Sequence, residues 1–157
     1  MDKIIVTVML IIGGVVASFA IFNGIYPAVQ RSGAAIISAS DTMNDRIQSD
    51  IRIIQVNVNA TTADAWVKNV GSSEIDAVSN SDVFFGPEGD FSRIPFGNST
   101  SPLPYWNYQL EGTDSQWRPT DTIDITIHLA SLSTPDTYML KVIIPNGIFD
   151  QTTLGVD

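Results

Sequence analysis

The chain opens with an apolar run that limits what it can fold into. Ile4 to Phe22 is a stretch of nineteen residues in which only Thr7 and Ser18 are polar, and no charged residue stands between Lys3 and Arg31. A helix needs roughly 20 predominantly apolar residues to cross a bilayer. The run therefore predicts a helix that can span a membrane.

Three interpretations of this run compete. A cleaved secretory signal has a basic start and an apolar stretch of roughly 7 to 15 residues, whereas here Asp2 adjoins Lys3 and the apolar run is longer. A simple membrane anchor agrees with the length of the run. The third interpretation, a rod that packs against other rods, depends on the residues that follow.

A helical seam continues beyond the apolar run. Its members recur at alternating spacings of four and three residues, the pattern of a helix packed lengthwise against other helices; they are Ile36, Ser40, Met43, Ile47, Ile51 and Ile54. One helix from Ile4 to about residue 53 would be on the order of 75 Å long. A single chain of 157 residues cannot bury such a rod. We therefore expect a bundle of several chains, with these core contacts: Ile5, Val8, Ile12, Val16, Phe19, Met43, Ile47 and Ile51.

From Ile54 the apolar period changes to two, the period of a β-strand. The clearest case is Ile123, Ile125, Ile127 and Leu129, which alternate with polar residues and so predict a sheet with one wet face. The other runs are at 65–70, 82–86, 106–110, 138–144 and 152–156. About seven short strands separated by Gly, Pro and Asn turns indicate an immunoglobulin-like sandwich.

The predicted fold class is therefore α+β, with a long N-terminal hydrophobic helix followed by an antiparallel β-sandwich. We expect residues 1–54 to form the membrane or filament-core helix and residues 55–157 to form the outer domain. Large aromatic residues should fill the core of the sandwich: Trp66, Phe84 or Phe85, Trp106 and Trp117.

Charge is divided unevenly between the two predicted domains. The first 57 residues carry four acidic and four basic side chains, whereas the rest carries thirteen acidic and four basic ones, so that the net charge of -9 belongs to the sandwich. This charge balance argues against nucleic acid as a partner, because phosphate binding needs clustered Lys and Arg. The absence of cysteine excludes disulfides and thiolate chemistry.

Three stretches of the sandwich resemble one known family. Residues 66–72 read WVKNVGS, residues 119–127 read PTDTIDITI, and residues 141–147 read KVIIPNG. Behind a long apolar helix, their order resembles the archaellins, the type IV pilin-like filament subunits of the archaeal motility organelle, and their relatives among archaellum stator proteins. Residues 81–96, SDVFFGPEGDFSRIPF, are similar to the stator-type relatives in particular.

This resemblance implies a structural subunit that polymerises with identical subunits through its N-terminal helix. The implied product is an extracellular helical motility filament, whose subunit sits in the cytoplasmic membrane before assembly. A prepilin-type peptidase would remove a short leader, and an assembly platform would build the filament. Because the charged leader ending in Gly is missing before the apolar run, we expect Met1 to be the mature first residue or the processing to differ. The alternative is a membrane-anchored stator protein whose sandwich binds the surface layer.

The sequence offers little for catalysis. His128 is the only histidine, which excludes a multi-histidine metal site and leaves no second partner for a base-assisted nucleophile. Glu88 with Asp90, or Asp121 with Asp124, could contribute to a site for a hard cation, but a solvated acidic surface is the favoured interpretation. We expect no enzyme activity, no cofactor and no metal.

Two tripeptides match the acceptor pattern for N-glycosylation. They begin at Asn59 and at Asn98, both in polar segments at strand ends or loops. We therefore expect these asparagines on the outer surface, where they could carry sugars and make the protein a glycoprotein.

Overall fold

The structure, a computed structural model, describes residues 2–110, 116–132 and 136–156. One long helix, α1 (Asp2–Gln48), comes first. The strands that follow are β1 (Ile51–Val58), β2 (Thr62–Asn69), β3 (Asp82–Pro87), β4 (Ser92–Ile94), β5 (Tyr105–Leu110), β6 (Thr122–His128), β7 (Asp136–Ile143) and β8 (Phe149–Val156). The chain divides into two compact units, with the boundary between Met43 and Asn44.

The first unit is helical from Asp2 to Met43, and α1 contains no buried residue. Its two hydroxyl groups within the apolar run are satisfied inside the helix. Thr7 Oγ1 donates to the Lys3 carbonyl oxygen at 2.9 Å, and Ser18 Oγ donates to the Gly14 carbonyl oxygen at 2.8 Å. Such bonds to the preceding turn let a polar residue sit in an apolar environment.

The second unit is a sandwich of two four-stranded antiparallel sheets. The strand orders are β1-β2-β6-β5 in the first sheet and β4-β3-β7-β8 in the second. These orders are those of an immunoglobulin-type sandwich with one additional strand in the second sheet. The predicted α+β fold, a helix followed by an immunoglobulin-like sandwich, is therefore confirmed.

Alternation along the strands builds the core of the sandwich. In the first sheet, Ala65 of β2 pairs with Ile125 of β6, and both side chains are buried. The second sheet contributes Leu140 and Val142 of β7. Trp106 and Trp117 are fully buried between the sheets, as expected. The apolar positions of period two thus face inward, while their neighbours face the outer surface of each sheet.

Of the other aromatic expectations, the one for Trp66 differs from the structure, and the structure decides the choice between Phe84 and Phe85. Trp66 lies at the outward position between buried Ala65 and Val67, so that its ring packs on the outside of the sheet. Phe84 takes the corresponding outward position in β3, and Phe85 is the one that enters the core. The alternation of each strand, which ring size alone does not reveal, decides which ring is buried.

The helix ends at Gln48, earlier than the seam predicted, so that the change from helix to strand precedes residue 54. Strand β1 already begins at Ile51, whose side chain is fully buried in the sandwich core. A bulge between Ile53 and Gln55 then breaks the alternation. Consequently Ile54 points to solvent, although its spacing fitted the helical seam.

Within the second unit, a loop closes the C-terminal end of α1. The backbone N–H groups of Ser72 and Ser73 donate to the Gln48 carbonyl oxygen at 2.8 and 3.3 Å, which satisfies an acceptor that a helix end leaves open. Gly71 makes this approach feasible, because a Cβ there would lie 2.5 Å from the Gln48 carbonyl oxygen and 2.6 Å from the Asp50 nitrogen.

Asn69 fixes the same loop from inside the sandwich. Its side chain is fully buried. Its Nδ2 donates to the carbonyl oxygens of Ser73 and Trp117 at 2.9 and 3.2 Å, and its Oδ1 accepts from the Gly71 nitrogen at 3.0 Å. The packing of this loop therefore explains the Asn and the Gly in the stretch WVKNVGS.

A second loop contacts the residue that follows the helix. Asn146 Nδ2 donates to Ser49 Oγ at 2.7 Å, and Ser49 Oγ itself donates to the Asp45 carbonyl oxygen at 2.7 Å. Gly147 follows with a φ of 89°, a conformation that favours glycine. The stretches WVKNVGS and KVIIPNG thus meet where the helix ends and the sandwich begins.

Candidate assembly surfaces

The predicted core contacts of the apolar run lie on one side of α1. Ile5, Val8, Ile12, Val16 and Phe19 are spaced by three or four residues, which places them within about a quarter of the helix circumference. All five are exposed, with between 48 and 64% of each side chain accessible. The structure therefore brings these five together as one continuous apolar strip.

The remaining predicted contacts separate at the end of the helix. Met43 and Ile47 are exposed on α1 and stay available for contact with another chain. Ile51 was wrongly assigned to this set, because it is buried in β1 of the sandwich. Its spacing of four from Ile47 fits a helix, but it also fits the first inward position of a strand that begins there.

Apolar side chains are not confined to that strip. Exposed apolar residues point in every direction around the apolar run, for example Ile4, Leu10 and Ile21. A helix that is apolar all round requires an apolar environment on all sides. Among the described residues, α1 is the one helix that is long and apolar enough to cross a membrane.

A shallow groove lies over two small residues on another side of the helix. It lies over Gly14, where an added Cβ would meet nothing within 4 Å, and Ser18 follows one turn later with its hydroxyl turned back to the Gly14 carbonyl. The remaining lining residues are apolar: Leu10, Ile11, Val15, Phe19 and Phe22. Small residues one turn apart let two membrane helices approach closely.

An aromatic pair marks the end of the apolar run. The rings of Phe22 and Tyr26 stack with centroids 5.5 Å apart. Residues 4–22 of a helix extend about 28 Å, close to the thickness of the hydrocarbon core. The pair would therefore lie at the depth where Tyr and other aromatic residues are enriched, the membrane–water interface.

The outer surface of the first sheet is mixed in charge. Its outward residues include Asp64, Trp66 and Lys68 of β2, Asp124 of β6, and Arg52 of β1, which lies opposite Lys68. Asp124 Oδ1 is shielded from solvent and has no hydrogen-bond partner among the described residues. Burial raises the pKa of Asp124 above its ordinary value of 3.8, and repulsion from Asp64 raises it further.

The outer surface of the second sheet carries two basic side chains beside aromatic rings. Phe84 pairs with Lys141 across β3 and β7, and the Lys141 ammonium lies 4.1 Å from the centroid of the Phe149 ring. Arg93 of β4 forms an ion pair with Asp82 on the same surface. Arg93 and Lys141 thus lie on either side of Phe84 on this surface.

Both asparagines of the glycosylation pattern are exposed. Asn98 Oδ1 accepts hydrogen bonds from the Thr100 backbone nitrogen at 3.0 Å and from Thr100 Oγ1 at 2.6 Å. Asn59 lies in the turn between β1 and β2, where its Nδ2 donates to Thr62 Oγ1 at 3.3 Å. The hydrogen bonds of Asn98 therefore involve its Oδ1 and not its Nδ2, whereas the Nδ2 of Asn59 itself donates a hydrogen bond.

The described residues contain no group of three or more His, Cys, Asp or Glu side chains that could hold a metal ion. The single histidine, His128, stacks on Tyr105 with ring centroids 4.5 Å apart. The apolar surface of α1 and the outer surfaces of the two sheets can bind lipid or other proteins through apolar packing and charge.

Comparisons with known proteins agree with this arrangement. The family model for archaeal-type flagellin matches residues 2–154. An uncharacterized protein of Archaeoglobus fulgidus is 31% identical over 154 residues, which cover 93% of each chain.

Solved structures of archaellum proteins resemble the sandwich. The periplasmic stator protein FlaG from Sulfolobus acidocaldarius is 29% identical with a TM-score of 0.59, over 68% of this chain and 99% of that one. A chain in the complex of the stator proteins FlaF and FlaG from that organism is 30% identical with a TM-score of 0.59. The match covers 67% of this chain and 88% of that one. Flagellin FlaB1 from Methanocaldococcus jannaschii shares the fold, with 9% identity and a TM-score of 0.57 over 69% and 90%.

Proposed function

Because this chain belongs to the archaeal-type flagellin family, we propose that it is a membrane-anchored archaellum component of the stator type. Its relatives are structural proteins rather than enzymes, and they belong to the cell surface or its membrane. In the proposed arrangement α1 remains in the lipid bilayer. The sandwich stands outside the membrane, where it binds other archaellum subunits and the surface layer.

The contrast in sequence identity is the observation that carries this proposal. FlaG and FlaB1 match the chain over similar lengths and with similar TM-scores, 0.59 and 0.57, so that the fold does not discriminate between them. Identity does, at 29% for the stator protein against 9% for the flagellin. The amino-acid sequence of the aligned region therefore favours the stator class.

The surface of α1 supports residence in lipid. Its apolar run is exposed on all sides, and Thr7 and Ser18 bond within the helix, so that a bilayer meets no open polar side chain in this run. Transfer of such a helix from lipid into a protein bundle gives no hydrophobic gain. A helix in its final location in lipid needs no extraction machinery.

A filament subunit is the second candidate function. Two observations favour it: the family model extends from residue 2 through the whole helix, and Met43 and Ile47 stay exposed well beyond the apolar run. In that case identical subunits pack through the strip that includes Ile5, Val8 and Ile12. A prepilin-type peptidase and an assembly platform then act before export as an extracellular filament.

The partners of the stator-type protein are sandwiches of related fold. The solved complex of FlaF and FlaG is one between archaellum stator proteins, and we propose contacts of that class for this chain. Glycosylation belongs to the same proposal. Asn98 is the better glycosylation site, because its hydrogen bond is made by Oδ1 and not by Nδ2. Asn59 is the weaker site, because its Nδ2 donates a hydrogen bond.

Shearing of archaellated cells tests the assignment. A stator-type protein stays with the cell membranes and is released by detergent, whereas a filament subunit leaves with the sheared filaments as a major band. A known membrane protein and the major filament protein of the same cells serve as the two reference points. Recovery of this chain chiefly in the sheared filaments would falsify the stator-type proposal and favour the second candidate.

A further inference from the structure

We propose that the outer surface of the first sheet binds a neutral oligosaccharide of the surface layer, with Trp66 as the ring on which a sugar stacks. We term this surface the tryptophan face. The inference rests on the proposed function, which places the sandwich against the surface layer. It deepens that function by naming the class of ligand and the residues that bind it.

Trp66 stands in a row of outward residues that crosses all four strands of the first sheet. Gln55 of β1 lies opposite Trp66 on one side, and Asp124 of β6 lies opposite it on the other. Gln109 of β5 follows beyond Asp124. Because neighbouring strands are about 4.8 Å apart, the row is about 14 Å long. It is therefore long enough for a short oligosaccharide rather than for a single sugar.

The polar side chains of the tryptophan face are open to a ligand. The outward residues around Trp66 are Arg52, Gln55, Asn57, Asp64, Lys68, Asn107, Gln109, Thr122, Asp124 and Thr126. Within the part of the chain that the structure describes, their side chains form no hydrogen bond and no ion pair, and neither does the indole nitrogen of Trp66. Their donors and acceptors are therefore available to a partner.

Charge on the tryptophan face is balanced but not paired. Arg52 and Lys68 lie directly opposite each other across β1 and β2, and Asp64 lies close enough to Asp124 to repel it. Like charges opposite each other destabilise a sheet, so that the stability of the sandwich does not explain this arrangement. The two bases cancel the two acids on a domain that is otherwise acidic. This balance fits a ligand without net charge.

Trp66 lies between the two like-charged pairs. Lys68 and Asp64 are each two residues away along β2, about 7 Å on either side. A neutral sugar ring has a face of C–H groups, which the negative face of an aromatic ring attracts. Its hydroxyl groups both donate and accept hydrogen bonds. A sugar stacked on Trp66 therefore accepts from the basic pair at one edge and donates to the acidic pair at the other.

Asp124 gives an independent argument for a ligand. Its Oδ1 is shielded from solvent and has no hydrogen-bond partner among the described residues. A polar group that loses water without gaining a partner costs the folded chain free energy. Because Asp124 is directly opposite Trp66, a sugar stacked on the ring reaches this carboxylate as well. A hydroxyl group that donates to it supplies a hydrogen bond to a charged acceptor, which is stronger than one between neutral groups.

Quenching of tryptophan fluorescence tests the site in the full chain held in lipid nanodiscs. The chain has three tryptophans, of which Trp106 and Trp117 are fully buried, so that acrylamide reaches Trp66 alone. The probe is the neutral oligosaccharide fraction released from the surface layer of the cells that make this protein. We expect this fraction to shield Trp66 from acrylamide in a saturable way. Unchanged quenching up to the solubility limit of the fraction overturns the inference.

Variants separate stacking on the ring from general binding to the surface. Calorimetry measures their affinity for the same fraction, because the substitution removes the fluorescent probe. We expect Trp66→Ala to weaken binding about tenfold, and Trp66→Phe, which keeps an aromatic ring, to recover part of that loss. Phe149→Ala is the matched control at an exposed aromatic residue of the second sheet, and it should leave the affinity unchanged. Equal weakening by Trp66→Ala and Phe149→Ala overturns the inference.

Displacement from the intact surface layer separates a sugar contact from a protein contact. The chain in nanodiscs is sedimented with surface-layer sheets, and the released oligosaccharides should displace it. Salt at about 1 M should change the bound fraction little, because a neutral ligand forms no ion pair that salt screens. Retention of the chain at saturating oligosaccharide, or its release by salt alone, shows a protein contact and overturns the inference.

Shearing of cells tests the stator-type assignment by a separate result. A filament subunit that carries the tryptophan face would leave with the filaments and still bind the oligosaccharides. A stator-type protein without this site would stay with the membranes and bind none of them. Either proposal can therefore fail while the other stands.

Discussion

The helix and the sandwich are both rich in apolar side chains, but the helix exposes them and the sandwich buries them. Residues 2–43 bury none of them, although the apolar run is the most hydrophobic part of the chain. The sandwich buries Trp106, Trp117 and rows of Ile and Val between its own sheets. The sandwich can therefore draw its stability from within the chain, whereas the helix depends on lipid or on other helices.

Removal of a core aromatic residue should affect the sandwich most. Trp106→Ala leaves a cavity in the core, and we expect it to lower the free energy of unfolding by about 3–5 kcal/mol, measured by denaturant titration of the full chain in detergent. Trp66→Ala is the matched control, because the same side chain lies on the outside of the same sheet. Equal losses from the two variants would contradict the assigned alternation. Membrane association should not change in either.

A charge in the apolar run should weaken the membrane insertion of the helix and leave the sandwich unaffected. Val16→Arg places a cation near the middle of the membrane span, which costs about 2.5–3.5 kcal/mol of insertion free energy. We expect a smaller membrane-bound fraction after flotation, with unfolding of the sandwich unaltered. Leu103→Arg, at an exposed site of the sandwich, should leave the membrane fraction unchanged. If both substitutions release the protein equally, residence of the helix in lipid is not what holds it.

Gly71→Ala tests the loop that closes the end of the helix. A Cβ there would lie 2.5 and 2.6 Å from backbone atoms, and such overpacking costs about 1–3 kcal/mol. Thermal unfolding should show the loss. Gly155→Ala, which would meet nothing within 4 Å, should leave the transition within error of the parent. An unchanged unfolding transition after Gly71→Ala would contradict the close packing of this loop against the end of the helix.

The smallest effect concerns Asp124, whose pKa is raised in the folded chain. The folded state therefore binds this proton more tightly than the unfolded state, so that the group costs stability once pH rises above the unfolded value, near 3.8. Asp124→Asn should stabilise the sandwich at neutral pH, and the gain should vanish when pH falls below that value. A gain that persists unchanged at low pH would exclude ionisation as the cause.

The sequence predicted the architecture well because period and turn chemistry are local signals. The alternation of Ile123, Ile125 and Ile127 identified both β6 and its buried side, and the apolar run identified the helix. The last turn of the helix was harder, because Ile47 and Ile51 fit a helical seam and a strand start equally well. Ser49 and Asn146 fix that boundary by a contact between positions 97 residues apart, which no local pattern reports.

The assembly surfaces were only partly predictable. The strip on α1 follows from spacing alone, so its members could be named in advance. The outer surfaces of the two sheets depend on which strands are neighbours, and Lys141, Phe84 and Phe149 meet through the order β3-β7-β8. The outward position of Trp66 was the available signal, because alternation in WVKNV assigns it to the side opposite Val67. The short strand β4 was missed because three residues show no clear period.

Photolabelling from within the bilayer tests the central claim, that the helix works in lipid. A phospholipid with a photoactivatable carbene precursor on its acyl chain is introduced into cells that carry assembled archaella, and labelled residues are mapped by mass spectrometry. The account predicts label in residues 4–22 and none in the sandwich. Full assembly with an unlabelled helix, and recovery of the chain in filaments, would contradict it.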